Sequence, residues 1–378
     1  MPIENIPLPD NLKGLRVALI HEWLTVYGGS ERVVEEFTHI FPQAPIYTTV
    51  YNRKNMQNIF PPERVIPSYL QKIPGSTRFY TKMLSLMPRA FESFDLAAYD
   101  LVLSSSHSCA KGVLTGADTF HASYLHTPMR YAWDLYHEYI RSSGFITRTA
   151  MKSLLFSIRQ WDALSGLRPD FLMANSNMTR RRIEKVYRRG STVVYPPVNT
   201  EHFIPSGKEP EDFYLVLSRF IPYKRVDLAI KACNRLKRKL IVIGEGSEGE
   251  ALKALAGPTV SFTGWLGDEE TLDYYKRCRA FLFPGYEDFG ITPVEAMACG
   301  RPVIAYGKGG VLDTVIPGQT GILFSDQTEE DLTQAILEFE KTNFDDPFIR
   351  RHAENFSAAR FRQEIIQNLS AQMAMRNC

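Results

Sequence analysis

The chain has 378 residues, of which 44% are hydrophobic and 23% charged, and its formal net charge is +2. This composition is typical of an ordinary globular protein with room for two α/β domains. The five cysteines are scattered and form no Cys-x-x-Cys pair, which argues against a disulfide framework or a zinc site. No run of 18 apolar residues would span a membrane, and the polar N-terminal residues do not resemble a signal peptide. We therefore expect a cytoplasmic protein.

The first predicted unit opens the chain. Residues 15–20 form a short apolar run, and a loop with Gly28 and Gly29 leads from it into a helix that we expect to reach Phe37. Strand, glycine-containing loop and helix are the opening of a nucleotide-binding βα unit. The Gly-x-Gly-x-x-Gly spacing of dinucleotide-binding proteins is missing, which disfavours a hydride-transfer enzyme.

Further short apolar runs alternate with helical stretches along both halves of the chain. In the first half we predict strands at 44–50, 101–104, 122–125, 171–174 and 192–194, and in the second half at 213–218, 239–243, 260–262, 280–283, 302–305 and 321–324. Helices are predicted at 226–236 and 268–278, and the last helix at 358–373. This alternation is typical of doubly wound parallel sheets.

A Pro-Pro segment at residues 195–199 divides the two halves and reads as an interdomain linker. We therefore predict two Rossmann-like α/β domains, 1–197 and 198–359, that face each other across a cleft at their strand ends.

Polar residues follow two predicted strands of the first half. His126 comes directly after the strand 122–125, and the Ser-rich run 104–112 follows the strand 101–104. A single histidine is more often a structural hydrogen-bonding group than a catalyst, but a strand end is where ligands bind in such sheets. The serine run is equally compatible with turn chemistry.

Two cations follow the first strand of the second half. Arg219 stands at the strand end and Lys224 near the start of the next helix. An arginine fork and a lysine point charge suit a diphosphate group, although a surface salt bridge is the simpler explanation of either residue alone. No Asp-x-Asp motif and no His/Asp cluster with metal spacing is present, so we expect no metal and no cofactor.

Glu287 and Glu295 lie eight residues apart around a predicted helix start. Glu287 follows the strand 280–283, and Thr292-Pro293 with Glu295 reads as a capping box for a helix over 293–299, ended by Gly300. Glu295 is then explained either as a cap or as part of a binding site at the helix N-terminus, where backbone N–H groups attract anions. Gly264 and Trp265 follow another strand, where a nucleotide base would rest, although Trp265 is equally compatible with a place in the core.

These motifs together resemble the family 4 retaining glycosyltransferases of the GT-B architecture, over nearly the whole chain. The resemblance is carried by the Glu-x7-Glu spacing of Glu287 and Glu295, the pair Arg219 and Lys224, the Gly28-Gly29 loop, and the His-Thr-Pro-x-Arg run from His126 to Arg130. It implies that the C-terminal helix, residues 360–378, returns to the N-terminal domain. Ser218 and Arg225 depart from the family pattern, in which glycine is usual, and predict a stiffer loop.

The resemblance also implies residue roles. Glu295 would hold the ribose, Glu287 would stabilise positive charge on the sugar, and His126 would meet the sugar's C6 hydroxyl. Arg219, Lys224 and the Gly28-Gly29 loop, chiefly Gly29, would hold the diphosphate. Backbone N–H groups of Phe289, Gly290 and Ile291, beside Thr292 at the helix start, would bind sugar hydroxyls. In this family the departing phosphate is held to take the acceptor's proton, which retains the configuration, and the enzyme supplies positioning and charge stabilisation.

The donor and the acceptor are less constrained by the sequence. We predict UDP-glucose as the donor, with GDP-mannose as the alternative, and a saccharide or lipid-linked saccharide as the acceptor. Residues 130–189 contain twelve Lys or Arg and five acids, and the stretch 147–164 combines cations with Met151, Leu154, Leu155, Phe156, Ile158 and Trp161. It is read either as an interfacial helix that contacts the inner face of a membrane or as an ordinary solvated helix.

Three other functions remain open at this stage. A sugar-nucleotide epimerase would need further acid or base carboxylates, and a catalytically silent nucleotide-sugar sensor would not need the charged residues at the strand ends. A nucleic-acid-binding protein would interleave aromatic and basic residues, a pattern that the basic stretch lacks.

Overall fold

The computed structural model describes residues 7–141 and 145–376; Cys378 and the N-terminal residues 1–6 lie outside this range. Contacts divide the chain into two compact units. Unit 1 comprises Met1–Pro197 with Phe361–Cys378, and unit 2 comprises Val198–Arg360. Each unit is built on one parallel sheet.

The sheet of unit 1 has seven strands in the order β3-β2-β1-β4-β5-β6-β7. The strands are β1 (Val17–His21), β2 (Ile46–Thr48), β3 (Val65–Pro67), β4 (Leu101–Ser106), β5 (Phe120–Leu125), β6 (Phe171–Ala174) and β7 (Thr192–Val193). The central strands β1, β4 and β5 are buried along their whole length, as expected for a parallel sheet covered on both faces.

Helices cover the sheet of unit 1. They are α1 (Gly29–Ile40), α2 (Arg53–Met56), α3 (Ser76–Phe79), α4 (Met87–Glu92), α5 (Tyr136–Arg141), α6 (Phe145–Ser165) and α7 (Asn177–Tyr187). Short 3-10 turns at Tyr69–Lys72, Tyr80–Met83 and Ala110–Gly112 join them.

The sheet of unit 2 has six strands in the order β10-β9-β8-β11-β12-β13. The strands are β8 (Tyr214–Leu217), β9 (Leu240–Ile243), β10 (Val260–Gly264), β11 (Ala280–Phe283), β12 (Val303–Tyr306) and β13 (Gly321–Phe324). Its helices are α8 (Val226–Leu236), α9 (Gly249–Leu255), α10 (Asp268–Arg277), α11 (Ile291–Ala298), α12 (Val311–Thr314), α13 (Glu329–Phe339) and α14 (Asp346–Ala353).

The last helix, α15 (Ala358–Arg376), packs on unit 1. Phe361, Ile365 and Leu369 belong to the same buried cluster as the apolar residues of β1 and α1. The ring of Phe361 stacks on that of Phe37 with 6.0 Å between centroids. The predicted return of the C-terminal helix to the N-terminal domain is confirmed, as is the class of two parallel α/β sheets.

The structure adds to the sequence analysis in two places. The three-residue strand β3 was missed, because it is short, lies at the sheet edge and ends in Pro67. The apolar side of α6 faces inward: Leu155 and Ile158 lie in the core, and Met151, Leu154 and Trp161 pack against it. Of the six apolar residues that the interfacial-helix alternative would turn toward a membrane, Phe156 alone is strongly exposed.

Within the described residues, none of the helices combines the length and the apolar character that crossing a bilayer requires.

Candidate functional site

The strand order of unit 2 reverses between β8 and β11. The chain runs outward from β8 to β9 and β10, then returns to place β11 on the other side of β8. The loops that leave these two strands therefore diverge to opposite faces and open a crevice at their carboxyl ends, where ligands bind in open α/β sheets. Arg219 and Lys224 follow β8, and Glu287 follows β11.

The loop after β8 presents its two predicted site cations differently. Arg219 is exposed, and its guanidinium has no hydrogen-bond or ion-pair partner among the described residues. Lys224 is largely buried and forms an ion pair with the Oε1 atom of Glu287. A cation without a protein partner at a strand end is available to an anionic ligand.

Arg225 occupies a position where the backbone favours glycine. Its φ is +51°, in the left-handed region, at the N-cap of α8. The Arg225 side chain is held by Asp227, with Nε to Oδ1 at 2.9 Å, and also donates to the carbonyl of Gln327. The predicted stiffening of this loop therefore has a structural basis, since both the backbone and the side chain are fixed.

Gly285 brings the loops after β8 and β11 together. A Cβ atom at Gly285 would lie 3.1 Å from the backbone of Lys224. The closeness of these backbones allows the side chains of Lys224 and Glu287 to meet.

Two glycines that the sequence analysis did not select, Gly309 and Gly310, form a third side of the crevice. The Gly310 N–H donates to the carbonyl of Glu287 at 2.9 Å, and Cβ atoms at Gly309 and Gly310 would lie 2.3 Å from the Glu287 carbonyl oxygen and 2.2 Å from the Phe289 Cα. Glycine is required at both positions because the two loops touch through their backbones. The signal was present as Gly307-Lys308-Gly309-Gly310 directly after β12.

The predicted capping box at Thr292 and Glu295 is wrong. Helix α11 begins at Ile291, and Gly290 with φ +87° forms its N-cap without a side-chain bond. Glu295 therefore lies in the second turn, is 4% exposed, and accepts a hydrogen bond of 3.1 Å from the hydroxyl of Tyr275. The helix ends as predicted before Gly300, whose φ is +75°.

Tyr275 on α10 is a further residue that the sequence analysis missed. Its ring is fully buried, and burial together with the neighbouring Glu295 carboxylate raises the pKa of its hydroxyl well above the usual value. The hydroxyl therefore remains a proton donor to Glu295 at any physiological pH and fixes the orientation of that carboxylate.

Gly264 and Trp265 lie at the end of β10. Gly264 has φ +75°, and its carbonyl accepts from the Gly244 N–H at 3.0 Å. The Trp265 side chain is 73% exposed, so it does not line the core. An exposed aromatic ring at a strand end is available for stacking on a flat ligand.

Unit 1 has a corresponding reversal between β1 and β4. Gly28 and Gly29 lie after β1, where Gly29 begins α1 and Gly28 is its extended N-cap. Two residues later, Glu31 is buried and pairs with His21 at the end of β1, with Nε2 to Oε1 at 3.2 Å.

The carboxylate of Glu22 fills the crevice edge of unit 1. It is fully buried, and sequence analysis did not select it. Four consecutive backbone N–H groups, from His107 to Ala110, donate to it at 2.7–3.2 Å, and the Ser106 hydroxyl adds a fifth bond at 2.9 Å. Such a nest of N–H groups is an anion-binding arrangement, and here the protein's own carboxylate occupies it.

His126 follows β5 in unit 1, and its Nε2 lies 2.8 Å from the Ser105 hydroxyl. Burial, with smaller contributions from His107 and His21, holds the pKa of His126 well below its usual value. The imidazole is therefore neutral at pH 7. The ring of His107 lies 6.2 Å away, and burial lowers its pKa as well.

The structure thus brings together, at one sheet edge of unit 2, the predicted residues Lys224, Glu287, Phe289 and Gly290 and the start of α11. Gly28, Gly29 and His126 belong to unit 1. Among the described residues, no three His, Cys, Asp or Glu side chains are grouped as metal ligands would be.

A family comparison matches the part of the chain that contains this edge. Residues 175–359 match the sequence model of the family described as glycosyl transferases group 1.

Curated relatives match over less than half of the chain. An uncharacterized glycosyltransferase of Methanocaldococcus jannaschii is 28% identical over 174 residues, which is 45% of this chain and 49% of the relative. A GDP-mannose-dependent alpha-mannosyltransferase of Mycolicibacterium smegmatis is 33% identical over 159 residues, 40% of this chain and 41% of the relative. The chain thus spans about half the length, or less, of these relatives.

Solved structures match over nearly the whole chain at low identity. The apo form of the lipopolysaccharide outer core galactosyltransferase WaaB has a TM-score of 0.67 at 18% identity, covering 94% of this chain and 99% of its own. The Anabaena HepE protein in complex with UDP-glucose gives the same four values. At this identity the likeness establishes the fold.

Proposed function

Because this chain belongs to the glycosyl transferases group 1 family, we propose that it is a retaining glycosyltransferase. It moves a hexose from a nucleotide diphosphate sugar to a saccharide or lipid-linked saccharide acceptor, without a metal or a cofactor. The observation that carries the proposal is the pairing of Lys224 with Glu287 where the strand order of unit 2 reverses, beside the unpartnered Arg219.

In the proposed reaction the cations hold the diphosphate. Arg219 binds phosphate oxygens through its planar fork, and Lys224 supplies a point charge to the same group. When the bond between the anomeric carbon and the phosphate oxygen breaks, negative charge grows on that oxygen. The cations and the backbone N–H groups at the start of α11 stabilise this charge, which is the work that a metal ion does in other transferases.

Glu287 stabilises the positive charge that develops on the sugar. As the leaving group departs, the sugar ring becomes positively charged, and a carboxylate beside the ring stabilises it electrostatically. In the state without ligand Lys224 neutralises Glu287. Binding of a diphosphate would draw Lys224 toward the phosphates and leave Glu287 charged beside the sugar.

Retention of configuration requires the acceptor to attack from the face that the phosphate leaves. The departing phosphate oxygen takes the proton of the acceptor hydroxyl, the acceptor oxygen forms the new bond to the anomeric carbon, and no protein base is needed. The neutral imidazole of His126 suits the predicted hydrogen bond to a sugar hydroxyl, since it offers a donor or an acceptor without adding charge.

The remaining residues bind the nucleoside. Glu295, held by Tyr275, accepts hydrogen bonds from the ribose hydroxyls, and the loop of Gly264 and Trp265 lies against the base. Gly28 and Gly29 contribute backbone N–H groups to the diphosphate, as the family resemblance implies.

For the donor we rank GDP-mannose above the UDP-glucose that the sequence analysis favoured. Two Mycolicibacterium smegmatis relatives, 33% and 28% identical, are named as GDP-mannose-dependent mannosyltransferases. UDP-glucose remains the second candidate, since the HepE structure contains it, but that likeness is at 18% identity.

A lipid-linked acceptor is supported by a relative named for phosphatidylinositol monomannoside. We propose that the protein acts in polysaccharide or glycolipid synthesis in the cytoplasm, at the inner face of the membrane. An epimerase is less well supported because it would need further acid or base carboxylates, and a silent sensor because it would not need Glu287 beside Arg219 and Lys224.

A thermal-shift screen with UDP, GDP and ADP sugars tests the donor proposal, because a ligand that binds only the folded state raises the melting temperature by mass action. We expect GDP-mannose to shift the wild-type protein and to have little effect on Arg219→Ala/Lys224→Ala, with Arg235→Ala/Lys231→Ala on α8 as the matched control. A positive shift is followed by measuring sugar transfer and nucleotide release. Absence of a shift with every nucleotide sugar would overturn the proposal.

A further inference from the structure

One surface of unit 1 combines exposed apolar rings with unpaired positive charge. Between Val65 and Phe91 the chain contains four cations, Lys72, Arg78, Lys82 and Arg89, and no Asp or Glu. All four cations are exposed, and none forms an ion pair with a carboxylate of a described residue. By contrast, the exposed Arg16 of the same unit pairs with Asp100 at 2.7 Å.

The same segment exposes large apolar side chains. Phe79 is 46% exposed, Tyr69 44% and Ile73 39%. We call the group formed by Tyr69, Lys72, Ile73, Arg78, Phe79 and Lys82 the 69–82 surface.

Contacts around the ring of Phe79 link its cations to this surface. The Arg78 guanidinium lies 5.8 Å and the Lys82 Nζ 5.5 Å from the centroid of the Phe79 ring. A Cβ atom at Gly75 would lie 3.1 Å from the same ring, so the turn that follows Ile73 packs beside Phe79. Arg78 and Lys82 are therefore neighbours of Phe79 on the surface, and the Ser76 N–H donates to the Ile73 carbonyl at 3.0 Å, which ties the turn after Ile73 to the helix that carries Phe79.

The patch is supported from below. Leu70, Met87 and Phe91 are fully buried, and Tyr80 packs on Trp23 with 5.0 Å between ring centroids. Residues of the segment therefore alternate between anchors that enter the core and rings that face solvent. Because the segment is anchored in the core, its exposed side chains can bind to another surface without unfolding of the segment.

We propose that the 69–82 surface docks unit 1 on a lipid bilayer that contains anionic headgroups. Aromatic and aliphatic side chains ringed by Lys and Arg match a membrane interface, where the apolar groups enter the acyl boundary and the cations meet phosphates. Phe79 between two cations suits this boundary, since its ring is apolar and its flanking charges reach the headgroups. The inference does not depend on the proposed transfer reaction.

This surface replaces the α6 face as the membrane contact. The apolar side of α6 is used by the core, which leaves Phe156 as the strongly exposed member of the predicted set. On α7 the exposed cations Arg180, Arg181 and Lys185 form a charged face, but no large apolar side chain is exposed on that helix.

Vesicle flotation of the full chain tests the proposal, with phosphatidylglycerol vesicles against phosphatidylcholine vesicles at low salt. We expect the wild type to float with the anionic vesicles and to be released by salt. Lys72→Glu/Lys82→Glu should lower the partition constant between water and vesicles by roughly tenfold or more. Each basic side chain near an anionic membrane surface adds to the free energy of binding, and each replacement also introduces a repelled charge. The control is Lys208→Glu/Lys341→Glu, which makes the same charge change at exposed lysines of unit 2 and should bind as the wild type.

A second pair separates insertion from pure charge attraction. Ile73→Ser/Phe79→Ser keeps every charge and should also lower binding roughly tenfold, since the buried apolar area is lost. Ile204→Ser/Leu255→Ser removes apolar groups of similar exposure from unit 2 and should have no effect. Phe156→Ser should bind as the wild type.

Folding and donor binding are measured on the same samples by melting temperature and by its shift with a nucleotide sugar. Loss of vesicle binding with both quantities preserved supports the lipid surface.

Three outcomes would overturn the proposal that the 69–82 surface binds lipid: no flotation of the wild type, equal flotation of all variants, or loss of flotation only in Phe156→Ser. Self-association of the wild type that Ile73→Ser/Phe79→Ser abolishes, without flotation, would instead assign the surface to a second copy of the chain. Failure of every nucleotide sugar to shift the protein while vesicle binding follows the pattern above would count against the transferase alone.

Discussion

The two units place opposite charges at the same topological position. Each has a parallel sheet whose strand order reverses once, between β1 and β4 in unit 1 and between β8 and β11 in unit 2. In unit 1 the nest of backbone N–H groups at this edge is filled by the Glu22 carboxylate. In unit 2 the edge carries Arg219, which has no partner among the described residues, and Lys224, which has only a part-exposed one.

The same sheet architecture thus has an occupied anion-binding edge in unit 1 and an available cationic edge in unit 2. An edge that binds its own carboxylate has satisfied its anion-binding groups and gains stability from them. An edge whose cations remain available can exchange an internal ion pair for a phosphate. We therefore propose that the nucleotide diphosphate binds to unit 2.

The largest expected effect is on the stability of unit 1. Glu22→Gln replaces an acceptor-only carboxylate by an amide whose NH₂ group faces N–H donors, so several donors lose their partner. We expect the free energy of unfolding in urea to fall by about 4 kcal/mol. Glu63→Gln, at an exposed carboxylate of the same unit, should change it little. A stable Glu22→Gln protein that no longer binds nucleotide sugar would reverse the contrast.

The second effect is on the chemistry of unit 2. Lys224→Ala removes a cation from the leaving group and should lower kcat/KM by about 100-fold, or about 3 kcal/mol. It should also cost more donor affinity than His126→Ala, measured by calorimetry with the nucleotide diphosphate. Lys231→Ala, at a lysine that bonds Asp227 on α8, is the control. Equal losses from Lys224→Ala and His126→Ala would contradict the assigned roles.

The third effect is a pH dependence of stability in unit 1. Burial lowers the pKa of His121 to about 3, with its Nε2 at 2.9 Å from the Ser104 hydroxyl. An unfolded histidine titrates near 6.5, so between about pH 6.5 and pH 3 the unfolded state binds the extra proton and stability falls as the pH falls. The contribution of neutral His121 to the free energy of unfolding is fully present above about pH 6.5. Below that pH it decreases by roughly 1.4 kcal/mol per pH unit.

His121→Asn should flatten this slope by about that amount, in urea unfolding at pH 7.5, 6 and 5. Three of the four tryptophans, Trp23, Trp133 and Trp161, lie in unit 1, so fluorescence reports mainly on that unit. His137→Asn, at an exposed histidine, serves as the comparison. An unchanged slope in His121→Asn would show that the buried imidazole does not control the transition.

The smallest effect sharpens the role of Tyr275. Tyr275→Phe removes the hydroxyl that orients Glu295, and we expect the KM for the donor to rise about fivefold with kcat nearly unchanged, equivalent to about 1 kcal/mol. Tyr274→Phe on the same helix is the matched control. A fall in kcat with an unchanged KM would place Glu295 in the chemical step rather than in binding.

The sequence predicted the site where neighbours along the chain define it. Glu287 follows a strand, and the glycine-containing loop after it leads into α11. The eight-residue spacing therefore places Glu287 in the loop and Glu295 on the helix that follows. The capping box failed because Gly290 takes the left-handed turn and starts the helix two residues before Pro293. Glu295 is then free to turn inward, which local rules do not reveal.

Contacts between distant segments could not be predicted. Glu22 meets N–H groups 85–88 residues away, Tyr275 reaches Glu295 from another helix, and Gly309 and Gly310 meet the Glu287 loop through the backbone. The same holds for α6, whose apolar side is periodic in sequence whether it faces a core or a membrane. Only the residues that pack against α6 distinguish a side that faces the core from one that faces a membrane.

Hydrogen–deuterium exchange with and without a saturating nucleotide diphosphate, first GDP and then UDP, shows which unit binds the nucleotide. Our account predicts protection of residues 218–225 and 285–295 in unit 2, and protection in both segments should be lost in Arg219→Ala/Lys224→Ala. It also predicts that residues 104–110, which include the four N–H groups of residues 107–110 already bonded to Glu22, exchange alike in both conditions. Protection of 104–110 without protection of the two unit 2 segments would contradict the assignment of the nucleotide to unit 2.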